Sequence, residues 1–345
     1  MKHISIIQGV DCHFELLGSI IDTLKSNYTI NLILSHMVIS KPEYLKWKHA
    51  YNHFFGFYSA EFIYTNINSI PKSEFVIIPT DNDAWANQIY NYFFYNFPLI
   101  ILSHVSTSRF NLENVNKSTV KYIINVIGVP KDDVSNLNIC NVGERNDKGE
   151  NNKNINNDIG WSCVWEAITP QYKLSYLSIR PSLCIIGDQC LNDDSFFTTL
   201  MNSISNINDI DIFIINRKVR SSLTDLYMEK RPNIHFLINI DTIAMLYILA
   251  SSHYVYFNTE LGFTNEKRLS GQVPLSLSFL NRLIIPFIRK DQFNFKTALL
   301  LDPQSSIELL PLSEKDIDML SKERDYFLEH QKQVFKRFEW LLEFK

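Results

Sequence analysis

Short, almost unbroken apolar runs recur along this chain. Each is too short for a core helix and too continuous for a strand with one wet face. In the first half they are Ile4–Ile7, Thr29–Leu34, Phe75–Pro79, Leu99–Leu102 and Tyr122–Ile127. The second half repeats the pattern at Leu183–Ile186, Ile210–Ile215, Ile234–Ile238, His253–Phe257 and Arg282–Ile288. Strands that are apolar on both faces belong to parallel sheets covered by helices on each side. Helix-period segments fill the intervals, at His13–Leu24, Ala84–Phe94, Asp194–Ile204 and the stretch carrying Ile243, Leu246, Tyr247 and Ala250. This alternation predicts an α/β protein with two Rossmann-like domains. A length of 345 residues suits two such domains better than one.

Composition marks the boundary between them. Gly143–Gly160, GERNDKGENNKNINNDIG, is nearly free of apolar side chains and reads as a polar insertion. The first domain is expected over residues 1–160 and the second over 180–312, with Cys163–Pro181 as the connection. Ser313-Glu314-Lys315-Asp316 reads as a capping box in which Asp replaces the usual Glu. It opens a helix over 313–345 whose Ile317, Leu320, Phe327, Val334, Phe338 and Leu341 share one face. That helix is expected either to pack on the second domain or to cross back onto the first.

Several functional classes are excluded at this level. A net charge of −4 argues against a nucleic-acid partner, which needs a basic face. The five cysteines (Cys12, Cys140, Cys163, Cys184 and Cys190) are odd in number and widely spaced, so reduced thiols are expected rather than a disulfide framework. No cluster has metal-ligand spacing, and Asp81-Asn82-Asp83 alone is a weak signal, so no metal is expected. The apolar runs are interrupted by Asn281, Arg282 and Pro286, well short of the roughly 20 residues of a membrane span. MKHISIIQGV reads as a first strand and not as an export signal, which predicts a cytoplasmic protein. Richness in Asn, Ile, Lys, Tyr and Phe with only 10 glycines fits an AT-rich genome, such as that of a giant virus or certain protists.

In open parallel sheets ligands bind beyond the carboxyl ends of the strands, so the residues that follow each run are the candidates. In the second half Gly187 follows one strand, while Arg217, Lys218 and Arg220 follow another. A polar loop with Glu260, and with Lys267 and Arg268 as further cations, leads into Ser270-Gly271-Gln272-Val273-Pro274, where a helix opens. The free N–H groups of such a helix attract anions, and Pro274 is harmless in its first turn. A helix end contributes about 0.3–1 kcal/mol, or about 2 when partly buried. Millimolar to micromolar binding of a diphosphate needs roughly 4–8 kcal/mol, so the cations must supply most of it. In the first half Asp11, His13 and Glu15 follow one strand, Asp81 and Asp83 another, and His104 a third. These are candidate bases for deprotonating an acceptor hydroxyl. Each has a plainer reading as well: Asp11 and Asp83 as helix caps, His13 as an exposed helix residue.

The motifs carry a resemblance. LSGQVPLSLSFLNRLIIP resembles the part of GT-B glycosyltransferases where a helix after a variable loop supports the donor diphosphate. LASSHYVYF resembles the strand before that loop, and IIPTDND followed by PLIILSH resembles the acidic and His-ending strand pair of their first domain. The resemblance implies two Rossmann-like domains facing a cleft and a UDP- or GDP-sugar as donor substrate. It also implies a glycan or lipid-linked acceptor and no tightly bound cofactor. Glu260 and Glu266 stand closer together than the paired glutamates of many retaining members, and the first glycine-rich turn is reduced to Gln8-Gly9-Val10-Asp11. The stereochemistry, donor sugar and oligomeric state therefore stay open. So do two alternatives: an enzyme of the UDP-N-acetylglucosamine 2-epimerase type, and a non-catalytic sugar-nucleotide-binding or scaffold protein.

Overall fold

A computed structural model describes residues 2–9, 14–34, 36–54, 61–64, 73–79, 99–103, 120–125, 140–141, 164–186, 200–216, 231–256, 272–287, 295–302 and 304–343. Of these, 15–16, 36–37, 51–52, 54, 61–64, 99–103, 120–125, 140–141 and 334–343 are described by backbone alone. The chain divides into two units. Unit 1 comprises Met1–Cys163, Glu266–Gly271 and Glu329–Lys345; unit 2 comprises Val164–Asn265 and Gln272–Leu328.

Unit 1 begins with β1 (Lys2–Gln8), α1 (Phe14–Leu24) and β2 (Tyr28–Leu34), followed by the helices α2 (His36–Ile39) and α3 (Pro42–Phe54). The strands β3 (Glu61–Tyr64), β4 (Val76–Ile78), β5 (Leu99–Ser103), β6 (Val120–Asn125) and β7 (Cys140–Asn141) complete its sheet. The sheet runs β3-β2-β1-β4-β5-β6-β7 and is parallel except for the antiparallel β7. Helix α1 forms because Phe14, Leu17, Ile20, Ile21 and Leu24 recur at helical spacing, and all five are buried. At about 1.5–3 kcal/mol for each fully buried apolar side chain, that stripe holds the helix far more firmly than its intrinsic propensity does. Ile4, Ile6 and Ile7 of β1 and Ile30, Leu32, Ile33 and Leu34 of β2 are likewise buried, as strands covered on both faces require.

Unit 2 opens with α4 (Pro170–Tyr176), then β8 (Ser182–Ile186), β9 (Asp211–Asn216) and β10 (Ile234–Ile238). Next come α5 (Thr242–Ser251), β11 (Tyr254–Tyr256), α6 (Gln272–Ser278), β12 (Arg282–Pro286) and β13 (Leu299–Leu301). The long helix α7 (Glu314–Glu343) closes the chain. Its residues through Leu328 belong to unit 2 and those from Glu329 onward to unit 1. The second sheet is parallel throughout, in the order β10-β9-β8-β11-β12-β13. Counted within its own unit, each sheet places its first six strands in the order 3-2-1-4-5-6, that of a dinucleotide-binding Rossmann domain. The core of unit 2 gathers Leu183, Ile185, Ile212, Ile214, Tyr254, Tyr256 and Ile284 from the sheet with Ile317 and Leu320 from α7.

The sequence reading anticipates most of these strands and omits β3, β7 and β13, and also α2, α3 and α4. The expected helix at Ala84–Phe94 and the insertion at 143–160 lie outside the described residues. The capping box forms as written. Ser313 N and Oγ both donate to Asp316 Oδ2, at 2.9 and 2.6 Å, and Asp316 N donates to Ser313 Oγ at 3.2 Å.

Candidate functional site

In unit 2 the strand order reverses direction between β8 and β11. In open α/β sheets ligands bind beyond the carboxyl ends of the strands at such a switch point. The ends are level: Ile185 pairs with Tyr256 across β8 and β11, and Ile186 pairs with Ile215 across β8 and β9. Gly187 follows β8 directly in sequence, and Arg217 and Lys218 follow Asn216, the buried last residue of β9. The Asn216 carbonyl accepts from Asn239 N at 2.7 Å. Asn239 follows β10 at a φ of 50°, a left-handed conformation that asparagine tolerates. The side chains of Gly187, Arg217, Lys218, Arg220, Glu260, Ser270 and Gly271 lie outside the described residues; Gln272, half-buried, opens α6.

Helix α6 is only seven residues long and buried from Val273 to Ser278. Two turns make a weaker anion device than a full helix, which shifts the phosphate-binding burden further onto cations. Its far end is closed by a Schellman motif: Asn281 N donates to Ser276 O at 3.1 Å and Leu280 N to Leu277 O at 3.0 Å. Leu280 takes the left-handed position, at a φ of 53°, that glycine usually occupies. Arg324 of α7 fixes this end, donating from Nη1 to Ile168 O at 2.6 Å and to Ser278 O at 3.4 Å.

In unit 1 the equivalent reversal falls between β1 and β4. Asp11 and His13 follow β1 in sequence, Asp81 and Asp83 follow β4, and His104 follows β5 directly. The three strands are parallel neighbours, with Ile6 paired to Ile77 and Ile78 to Ile101. Asp11, His13, Asp81, Asp83 and His104 themselves lie outside the described residues, and Glu15 is described by its backbone in the first turn of α1. Gln8, the last residue of β1, is completely buried.

The opposite, amino edge of the second sheet carries a polar cluster that the sequence reading passes over. Lys173 of α4 is fully buried and spends all three ammonium protons on the end of α5, on Leu249 O at 3.2 Å, Ala250 O at 2.9 Å and Ser252 O at 2.7 Å. Carbonyls at a helix C-terminus lack the i+4 partners of the interior, with Leu249 O also accepting from Ser252 N at 3.2 Å, and a cation there meets the negative end of the helix dipole. Burial pulls the Lys173 ammonium well below the ordinary lysine value, opposed in part by Cys184. Asn281 Nδ2 reinforces the cap on Leu249 O and Ser252 O at 2.8 and 2.7 Å. His253 is buried beside it, and its Nδ1 accepts from Ser182 N at 3.1 Å. Burial first, and then the charge of Lys173, lower its imidazole to about 4. No sequence signal separates Lys173 from an ordinary surface lysine, because its role depends on where the end of α5 falls.

Among the described residues no group of three or more His, Cys, Asp or Glu side chains can hold a metal. No described helix is long and apolar enough to cross a membrane.

Two parallel sheets of Rossmann order, each with its own reversal point, define a mixed α/β protein of two Rossmann-like domains. No family model and no curated protein matches the sequence. Solved structures match it along nearly its whole length, and they place it in the GT-B fold class. An alpha-glucosyltransferase in complex with UDP has a TM-score of 0.53 at 9% identity, over 99% of this chain and 100% of that one. The same type of enzyme, in complex with UDP and a 13-mer DNA containing a HMU base, has a TM-score of 0.52 at 9% identity, over 99% of each chain. UDP-GlcNAc 2-epimerase from Neisseria meningitidis, bound to UDP-GlcNAc, has a TM-score of 0.51 at 11% identity, over 96% of this chain and 94% of that one. At such identities the likeness is one of fold.

Proposed function

We propose that this protein is a glycosyltransferase that moves a hexosyl or N-acetylhexosaminyl group from a nucleotide-diphosphate donor to a glycan or lipid-linked acceptor. The observation that carries the reading is the reversal of strand order between β8 and β11, with Gly187 next in sequence after β8 and the Arg217–Lys218 pair next after its neighbour β9. Glycine lets a backbone approach a diphosphate closely, and two cations supply what a two-turn helix cannot. The donor is a UDP- or GDP-sugar; UDP is the nucleotide named in the resembling structures. Arg217, Lys218 and Arg220 with Gly187 and the Ser270–Gln272 turn hold the diphosphate, and Glu260 lies in the same loop region of the sequence. The base comes from the first domain, Asp83 or His104, with Asp81 as a turn cap and Asp11, His13 and Glu15 as the next candidates. The polar insertion at 143–160 belongs to this acceptor domain, and α7 packs across both domains.

The epimerase structure favours one further reading, hydrolysis and epimerisation of a UDP-N-acetylhexosamine without an acceptor. Incubation with UDP- and GDP-sugars, with and without glycan or lipid-linked acceptors, and chromatography of the products separates the readings. Acceptor-dependent release of UDP or GDP with a glycosylated product supports transfer. Acceptor-independent release of free sugar supports the epimerase reading, and tight binding without any product sinks both in favour of a non-catalytic binder.

A further inference from the structure

Ser182, His253 and Lys173 form a titratable cluster that the proposed sugar transfer does not use. It lies at the amino ends of β8 and β11, the edge of the sheet opposite the strand ends considered for donor binding. His253 is fully buried. Its Nδ1 accepts from Ser182 N at 3.1 Å and faces Ser182 Oγ at 3.0 Å, while the backbone of His253 pairs with Ser182 in return. The neutral ring therefore carries its proton on Nε2, which faces the backbone of Ser178. A second proton on Nδ1 would set that N–H against the Ser182 N–H and leave only Ser182 Oγ to accept it.

The ammonium of Lys173 on α4 discourages that proton further, opposed by the backbone of Ser178. The other titratable or charged residues nearby are Cys184 of β8, Tyr254 stacked at 6.3 Å on β11, and Arg282 of β12, whose backbone N–H bonds the His253 carbonyl at 3.0 Å. No carboxylate is bonded to the ring among the described residues. Lys173 cannot retreat while it caps α5, since it is bound to the carbonyl of Ser252, the residue next to His253.

The apolar packing of helix α4 on the core is partial. Leu174 and Leu177 pack only partly against the core, and Tyr172 is 64% exposed. We propose that His253 is an acid-operated latch, whose double protonation breaks the Ser182 contact and frees α4 and its Lys173 from unit 2.

Native-state hydrogen exchange of the full chain, read by mass spectrometry at about pH 7 and about pH 4.5 and corrected for intrinsic rates, tests this. Protection over Lys173–Leu177 should fall at least about tenfold at the acid pH while β9 and β12 keep theirs. His253→Asn retains an acceptor near the Nδ1 position but cannot titrate, and should hold α4 closed at both pH values. Undiminished protection of α4 in the wild type, or acid opening that persists in His253→Asn, overturns the latch. Should that variant fail to fold, labelled-histidine NMR of the wild type decides. His253 should stay neutral until α4 opens, and ordinary titration near pH 6.5 with α4 still protected contradicts the proposal.

Discussion

A buried imidazole and a buried ammonium can share one site only if neither charge is left without partners. Lys173 meets that condition through three carbonyls, and His253 meets it by staying neutral. His330 on α7 is a second buried histidine, lowered by burial to about 4, with no partner for its Nδ1. Both folded values lie below the unfolded value of about 6.5, so the unfolded chain takes up protons that the native one refuses. Stability should thus be unaffected by pH above about 6.5 and fall as pH drops toward about 4. A loss on the order of 2 kcal/mol per histidine at pH 5 is expected in urea titrations; a flat profile between pH 7 and 5 would show that neither ring is held neutral. At the candidate chemical residues the expectation is kinetic. Asp83→Asn or His104→Ala should lower turnover at least about a hundredfold, within the 10²–10⁴ range for a general base, and leave donor affinity within about threefold. Full activity in both variants at saturating substrates would make them structural and move attention to Asp11, His13 and Glu15.

Among the elements, α6 shows how packing overrules local preference. A non-glycine residue in the left-handed position costs roughly 1–2 kcal/mol, yet Leu280 occupies it because its side chain is buried in the core of unit 2. Truncating a buried leucine costs about 2–5 kcal/mol, so burial outweighs strain. Leu280→Gly should accordingly destabilise the protein by about 1–3 kcal/mol in equilibrium urea unfolding, and a more stable variant would mean that strain dominates. The same balance explains what the sequence discloses. Strands such as Ile4–Ile7 and Leu183–Ile186 are legible because a strand covered on both faces has to be apolar throughout. The capping box at Ser313 and Asp316 is legible because its hydrogen bonds are local. By contrast α3 buries Tyr44 and Ala50 but leaves Leu45 exposed, so no clean apolar stripe marks it. Edge strand β3, four residues long, and β13, with only Leu301 buried, give too little pattern to read. Helix α4 is missed because its key residue is a lysine, a type normally left in water.

For the whole molecule, the repeated strand order matters more than any single motif. In unit 2 the amino edge is fastened by Lys173, Asn281, the Arg282–Asp316 ion pair at 3.3 Å and the buried Glu323 carboxylate, which accepts from Lys296 and Thr297. The candidate donor residues all follow the carboxyl edge instead. The sequence makes that division visible only in part, since it shows which residues follow each strand but not which strands are neighbours. The central claim is that the diphosphate is held beyond β8, β9 and β11. Calorimetric titration of UDP or GDP into the wild type, Arg217→Ala and Lys218→Ala tests it most directly. Loss of one charged hydrogen bond is worth about 1.5–3 kcal/mol, so each variant should bind roughly 10- to 150-fold more weakly while its unfolding midpoint is unchanged. Wild-type affinity in both variants would place the phosphates elsewhere and contradict the account.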